Sequence, residues 1–170
     1  SFDSNTYTYN ANGIRTSKTV DGVKHTYTLD GTKILKESWG ENTLVPLYDN
    51  EDSVCGIVYN GTPFYFFNNL QGDVIAVTDK DGKVVVRYTY DAWGNFTTAY
   101  LSGGANTAAV YNPFKYRGYY YDAEIGFYYL NSRYYDPAIG RFITADKLAT
   151  VKATAFSVTD KNLYAYCDNN

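Results

Sequence analysis

Short runs in which apolar and polar residues alternate fill the first 100 residues, and tight-turn dipeptides separate these runs. The dipeptides are Asn12-Gly13, Asp21-Gly22, Asp30-Gly31, Asn60-Gly61 and Asp81-Gly82. Such pairs supply the positive φ angles that tight hairpin turns need. The runs are rich in β-branched and aromatic residues, and none of them sustains a helical period. The pattern predicts an all-β meander of consecutive hairpins over residues 1–100.

The pattern changes twice after residue 100. Residues 101–112 are mostly small and polar, which predicts a loop that joins two parts of one architecture. Residues 113–146 are again dense in aromatic residues, whereas residues 147–170 show only a weak pattern. We therefore divide the chain into hairpins, a loop, an aromatic segment and a tail.

Tyrosine dominates the composition of the 170-residue chain, with 20 Tyr against 9 Phe and 2 Trp. Rings that carry a hydroxyl need hydrogen-bond partners when they are buried and tolerate water when they are half exposed. The formal net charge of -3 argues against a nucleic-acid partner, because such affinity comes from clustered Lys and Arg. No apolar run is long enough to span a bilayer. The lack of any Met and of an export leader leads us to expect a piece of a longer polypeptide.

Candidate chemistry is sparse. His25, the only histidine, lies between Lys24 and Thr26 in a predicted strand, and we interpret it as a structural residue. Cys55 and Cys167 are either two separate thiols or a single bridge, and their spacing fits no metal motif. We expect no metal site and no cofactor.

Two stretches share one repeat frame. Residues 88–97 read Tyr-Thr-Tyr-Asp-Ala-Trp-Gly-Asn-Phe-Thr, and residues 7–16 fit the same frame with Asn10 in place of Asp91. Alternate aromatics such as Tyr88 and Tyr90 place rings on one face of a strand. The Asp or Asn side chain is expected to bond nearby backbone amides, while Gly94 takes the left-handed position. This frame resembles the YD repeat.

The segment from Arg117 to Phe142 resembles, almost letter for letter, the signature of the Rhs repeat-associated core domain of bacterial polymorphic toxins. The matching positions are Arg117, Gly118, Tyr120, Tyr121, Asp122, Gly126, Tyr128, Tyr129, Arg133, Tyr134, Tyr135, Asp136, Pro137, Gly140, Arg141 and Phe142. Together with the repeats, the resemblance covers residues 7 to about 146.

The resemblance implies a container. In similar proteins, YD hairpins pair edge to edge into a sheet that spirals round a hollow shell, and the core segment plugs one end. This chain would be a slice of that spiral sheet with its plug, secreted or at a bacterial cell surface. Its partners would be the preceding YD repeats and a C-terminal toxin of the same polypeptide, and its role would be structural and not catalytic.

The resemblance also suggests roles within the core segment. Pro137 and Gly140 would shape a turn of the plug. The arginines Arg117, Arg133 and Arg141 would find partners among Asp122, Glu124 and Asp136, by ion pairing or by stacking on rings, unless they are surface groups.

Self-cleavage is the sharpest chemical hypothesis that the family offers. Many similar chains carry two Asp-Pro-x-Gly motifs whose carboxylates cut the chain, since two close carboxylates can share a proton and act as acid and base. Asp146 is the first matching position, but Lys147-Leu148-Ala149 follows it, and the second motif has no counterpart here. The alternative is that Asp146 is a turn or capping carboxylate. We expect these 170 residues alone to be inert.

A different class of function is the binding of carbohydrate or of a cell surface. Trp39, Trp93 and the run Tyr119 to Tyr121 offer planar faces on which sugar rings could stack. Packing within the sheet is the alternative for each of these rings.

Overall fold

The fold is all-β, and its strands form two antiparallel sheets that follow chain order. The computed structural model describes residues 5–101, 103–104 and 107–144. The large sheet contains β1 (Thr6–Tyr9), β2 (Arg15–Val20), β3 (Val23–Asp30), β4 (Lys33–Trp39), β5 (Asn42–Tyr48), β6 (Val54–Tyr59), β7 (Thr62–Asn68), β8 (Val74–Thr78), β9 (Val84–Tyr90) and β10 (Phe96–Tyr100). The small sheet contains β11 (Tyr120–Asp122), β12 (Phe127–Leu130), β13 (Arg133–Asp136) and β14 (Arg141–Thr144). The predicted meander of hairpins is confirmed.

One type of five-residue loop recurs in the large sheet, at residues 10–14, 49–53, 69–73, 79–83 and 91–95. In each loop, Oδ1 of the first residue, an Asp or Asn, accepts hydrogen bonds of 2.8–3.0 Å from the amides two and four residues later. The fourth residue has a positive φ, as in Gly94 at 92°. The local mechanism predicted for the repeat frame is therefore present in both repeats and in three further loops.

Two-residue turns close the other hairpins. At Asp21-Gly22 and Asn60-Gly61 both residues have positive φ, as the tight hairpin turn requires. The turn expected at Asp30-Gly31 lies one residue later, because Asp30 is still part of β3. Asn12-Gly13 and Asp81-Gly82 lie inside five-residue loops instead of forming two-residue turns.

Successive connections in an antiparallel meander alternate between the two ends of the sheet. Residues 10–14, 31–32, 49–53, 69–73 and 91–95 therefore lie at one end, which we call the docking end. The remaining turns lie at the opposite end, the far end. The small sheet contacts the docking end, as the hydrogen bonds below show.

The core lies between the two sheets. Leu44, Ile57 and Val86 of the large sheet are almost fully buried in one cluster with tyrosines of the small sheet, among them Tyr134. The joining segment 101–112 contributes to this core, because it includes a 3-10 turn, Ala108–Tyr111, in which Ala109 is fully buried. The described residues contain no helix with the length and apolar character that a membrane crossing requires.

Candidate functional site

The contact between the sheets that carries the most charge depends on a bulge in β2. Tyr9 pairs with Arg15 and Tyr7 pairs with Lys18, so that β2 carries one residue more than β1 between the two pairs. Residues that lie opposite each other in a sheet project from the same face. Arg15 and Lys18 consequently share a face, although a spacing of three would separate them in a regular strand.

Both cations meet Asp122, the last residue of β11. Arg15 Nη1 lies 2.6 Å from Asp122 Oδ2, and Lys18 Nζ lies 2.9 Å from Asp122 Oδ1. Lys18 also reaches Glu124 at 3.2 Å, and the Tyr7 hydroxyl donates to the same carboxylate at 3.0 Å. The side chains of Arg15 and Asp122 are completely buried. We call Arg15, Lys18, Asp122 and Glu124 the ionic cluster; it joins the start of the large sheet to the small sheet.

Tyrosine rings surround the Arg15 guanidinium. Its central carbon lies 4.2–6.0 Å from the ring centroids of Tyr7, Tyr27, Tyr120, Tyr129 and Tyr134. Arg15 Nε and Nη2 are buried and have no hydrogen-bond acceptor among the described residues. The tyrosine rings are therefore the groups that surround these two nitrogen atoms. A weakly hydrated, planar guanidinium suits such a cage because it is attracted to ring faces.

The electrostatics of the cluster follow from burial and pairing. Burial alone would raise the pKa of Asp122, but the charges of Arg15 and Lys18 outweigh it and hold that pKa below its ordinary value of 3.8. Burial would lower the pKa of Arg15, but Asp122 outweighs it and raises that pKa. The pair is therefore ionised at neutral pH.

A chain of hydrogen bonds leads from the cage toward the surface. The Tyr120 hydroxyl donates to both carboxylate oxygens of Glu37, each at 2.9 Å. The other neighbour of Glu37 is His25, whose Nδ1 lies 2.7 Å from Glu37 Oε1. The His25 ring stacks on Trp39 with a centroid distance of 4.8 Å. His25 lies in β3, as the sequence predicted for a strand residue.

The small sheet also contacts the repeat loop at residues 91–95. The Tyr128 hydroxyl donates to the Gly94 carbonyl at 2.8 Å, and the Tyr135 hydroxyl donates to the Trp93 carbonyl at 2.7 Å. A Cβ atom on Gly94 would lie 2.7 Å from the Tyr116 ring, and one on Gly140 would lie 2.7 Å from the Trp93 ring. Glycine is therefore required at both positions for the close approach.

Lys115 is buried without a carboxylate partner among the described residues. Its Nζ donates to the Asn112 carbonyl at 2.6 Å and lies 5.1 Å from the ring centroids of Tyr88 and Phe96. Burial lowers the pKa of Lys115 from 10.5 to about 7.

The prediction that the acids of the core segment pair with its arginines is wrong for two of the three acids, Asp122 and Glu124. Asp122 and Glu124 bind Arg15 and Lys18 of the large sheet, because the bulge directs those cations into the interface. Arg117 and Arg133 are both exposed, which is the surface-group alternative, and the guanidinium of each lies over a ring. The Arg117 guanidinium lies 5.4 Å from the Tyr116 centroid, and that of Arg133 lies 4.9 Å from the Phe142 centroid.

The third acid, Asp136, lies opposite Arg141 in the small sheet. Its Oδ1 accepts from the Ala138 amide at 2.9 Å in the turn that contains Pro137 and Gly140. Burial raises the pKa of Asp136 above 3.8.

The two tryptophans differ in surroundings. Trp39 is half buried, and its ring contacts the rings of His25 and Tyr59. Trp93 is 58% exposed and borders a cleft of about 220 Å³ with Tyr116, Arg117 and Phe142. The tyrosines of the run Tyr119 to Tyr121 differ in exposure. Tyr120 is buried, whereas Tyr119 lines the same cleft as Trp93.

Two predictions lie outside the described residues, namely the role of Asp146 and any pairing of Cys167 with Cys55. Within the described ranges, no three His, Cys, Asp or Glu side chains are grouped so as to hold a metal ion.

Sequence reasoning missed Arg15, Lys18, Glu37 and Lys115. The repeat frame contained one signal, since Arg15 follows the turn glycine by two residues and lies between the β-branched residues Ile14 and Thr16.

Comparison with known proteins gives a consistent result. The family model "Teneurin YD-shell" matches residues 29–170. The chain is 38% identical to the tRNA3(Ser)-specific nuclease WapA of Bacillus spizizenii over 97% of its own length, and to the tRNA nuclease WapA of Bacillus subtilis to the same extent. It spans only 7% of each of these relatives. The crystal structure of TcdB2-TccC3-Cdc42 matches 84% of this chain, and 8% of its own, with a TM-score of 0.68 and 22% identity, which shows the shared fold.

Proposed function

This chain belongs to the teneurin YD-shell family, and on that premise we propose that it is the closing segment of a shell that encloses the C-terminal effector of a longer toxin polypeptide. Its role is structural and not catalytic: the large sheet is a strip of wall, and the small sheet is the plug. The protein of which it is a part is secreted or lies at a bacterial cell surface.

The buried ionic cluster is the observation that supports this role. It connects residues 107 positions apart, Arg15 of the first described hairpin and Asp122 of the core signature. Removing one partner of a fully buried ion pair leaves an uncompensated charge, so the contact strongly disfavours separation of the two sheets. A plug held in this way suits a container that must stay closed. The nuclease names of the WapA relatives fit a passenger that lies outside the matched 7% of those chains.

Limited proteolysis of the longer native polypeptide, read by mass spectrometry, tests containment. We expect the passenger to resist protease in the wild type and to become digestible in Asp122→Asn, because that variant unlocks the plug. Asp81→Asn is the matched control, since Asp81 is 71% exposed in its side chain and lies at the far end. A passenger that is freely digested in the wild type would contradict the proposal.

Self-cleavage through Asp146 remains a proposal for the longer chain. On this proposal Asp146 would share a proton with a second carboxylate of the longer chain, so that one acts as acid and the other as base. We expect Asp146→Asn to abolish the cut in the full polypeptide. Unchanged cleavage at the same bond would show that Asp146 is a turn or capping residue.

Glycan binding is a second candidate function, and the cleft beside Trp93 favours it. One side of the Trp93 ring lies against Gly140, while the rest of the ring is exposed beside Phe142 and Arg117. Exposed rings beside hydrogen-bond donors suit a sugar ring. Binding of a saccharide on a glycan array that disappears in Trp93→Ala, with an unchanged circular dichroism spectrum, would support this function. Absence of binding in the wild type would remove it.

A further inference from the structure

The buried charges around the tyrosine cage do not balance without His25. Arg15 and Lys18 supply two positive charges, whereas Asp122, Glu124 and Glu37 supply three negative ones. Each of these five side chains is at most 10% exposed. A buried carboxylate without a compensating charge is unfavourable even when it accepts hydrogen bonds. Glu37 is the carboxylate that neither cation of the ionic cluster contacts.

His25 is placed to supply the missing charge. It lies between Lys18 of β2 and Trp39 of β4, which are its direct partners in the sheet, and its Nδ1 contacts Glu37. Its chain neighbours Lys24 and Thr26 project from the other face of β3. The ring is only partly exposed, with 17% of its side-chain surface accessible.

The charged groups that face His25 come from every element around it. Lys18 is the opposing cation, but its charge is satisfied by Asp122 and Glu124 of the small sheet. Glu37 of β4 is the facing anion, and its remaining partner is the Tyr120 hydroxyl of β11. Protonation at His25 is therefore transmitted to the small sheet through one carboxylate and one hydroxyl.

We propose that His25 is a proton-operated lock on the plug. The proton added to the imidazole makes the His25–Glu37 contact an ion pair, which neutralises the buried charge and fixes the acceptor of the Tyr120 hydroxyl. Imidazole is the side chain whose charge changes between about pH 5 and about pH 8, so the small sheet is held more tightly at the acidic end of that range. A neutral imidazole keeps the hydrogen bond through its Nδ1–H tautomer but loses the charge. This pH dependence is separate from the proposed enclosure of an effector, because His25, Glu37 and Tyr120 all lie within this chain.

Hydrogen exchange of the small-sheet amides tests the lock in the chain itself. The amides of β11 and β12 are measured near pH 5.5 and near pH 8, corrected for intrinsic exchange rates, within the range in which imidazole titrates. We expect the ratio of wild-type protection to His25→Phe protection to be roughly tenfold greater at the lower pH, as a charge-assisted bond replaces a neutral one. His25→Phe keeps a ring on Trp39 and removes the proton. The pH dependence that Lys115 contributes is present in both proteins and cancels in their ratio.

A matched control and a second variant complete the test. Lys24→Gln removes an exposed cation one residue away on the other face and should keep the wild-type pH dependence. Glu37→Gln removes the anion and should show the pH dependence of His25→Phe instead of that of the wild type. The lock is refuted if the ratio of wild-type to His25→Phe protection is the same at both pH values.

Discussion

Replacing Lys115 by methionine is expected to make the protein more stable at neutral pH and less stable at high pH. Methionine has a similar length and no charge, and its thioether packs well against aromatic rings. Lys115 lies among Tyr88, Phe96 and Tyr121, so the replacement keeps an apolar fit to its surroundings.

The magnitude follows from the pKa of Lys115. Burial lowers that pKa from 10.5 to about 7, and one pKa unit is worth about 1.4 kcal/mol, so burial of the charged form costs roughly 5 kcal/mol. Below about pH 7 both the folded and the unfolded chain hold the proton, and the whole penalty is present. Between about pH 7 and 10.5 only the unfolded chain holds it, so wild-type stability from this group rises with pH.

Methionine removes that penalty but also removes a donor. Loss of the hydrogen bond to the Asn112 carbonyl leaves a buried acceptor, at a cost of about 1–3 kcal/mol. The net effect of Lys115→Met is then a gain of roughly 2–4 kcal/mol near pH 6 and a loss of roughly 1–3 kcal/mol near pH 10.5.

Urea unfolding at these two pH values, followed by intrinsic fluorescence, measures the effect. The burial of tyrosines such as Tyr88, whose pKa is raised to about 12, weakens the fold at high pH in both proteins, so that loss cancels in their difference. Lys83→Met, at an exposed lysine, is the control and should have little effect at either pH. A difference between Lys115→Met and wild type that keeps the same sign and size at both pH values would refute the reasoning.

Two further predictions concern the interface. Asp122→Asn should destabilise the fold by about 3–5 kcal/mol in urea unfolding at neutral pH, because it leaves the buried Arg15 without a carboxylate partner and removes one of the two carboxylates of Lys18. Because the pKa of Asp122 is lowered in the folded protein, the contribution of Asp122 to stability is complete above pH 3.8 and is lost as the pH falls further. The stability difference between Asp122→Asn and the wild type should therefore shrink only in strong acid. A difference that stays constant in strong acid would contradict this. Gly94→Ala should cost more than Gly82→Ala by roughly 1–3 kcal/mol, because both glycines have positive φ but only the Gly94 position meets a ring. Equal losses in the unfolding midpoints of the two variants would show that the Tyr116 contact adds nothing.

The hairpins could be read from the sequence because their determinants are local. Alternation of aromatic and polar residues determines which side chains share a face of the strand. An Asp or Asn at the first position of the five-residue loop determines the turn, so the frames at residues 7–16 and 88–97 each specify a hairpin by themselves. The shift at Asp30-Gly31 was not predictable from the dipeptide, because a single glycine permits either register.

The ionic cluster could not be read in the same way. Alternation places Arg15 and Lys18 on opposite faces, and only the bulge, which depends on pairing with β1, brings them together. The partner of Arg15 is 107 residues away, so no local pattern connects the two. The same argument applies to Lys115, whose burial results from rings on β9, β10 and β11.

The turns at the far end make this strip of wall tolerant of insertion. A side chain on Gly22, Gly40, Gly61 or Gly82 would meet nothing within 4 Å, whereas one on Gly94 at the docking end would meet the Tyr116 ring. An epitope or fluorescent reporter inserted between Asn60 and Gly61 would therefore lengthen a hairpin without disturbing the contact between the docking end and the small sheet. Hairpins of the large sheet can therefore be lengthened at the far end without altering the contacts that the docking end makes with the small sheet.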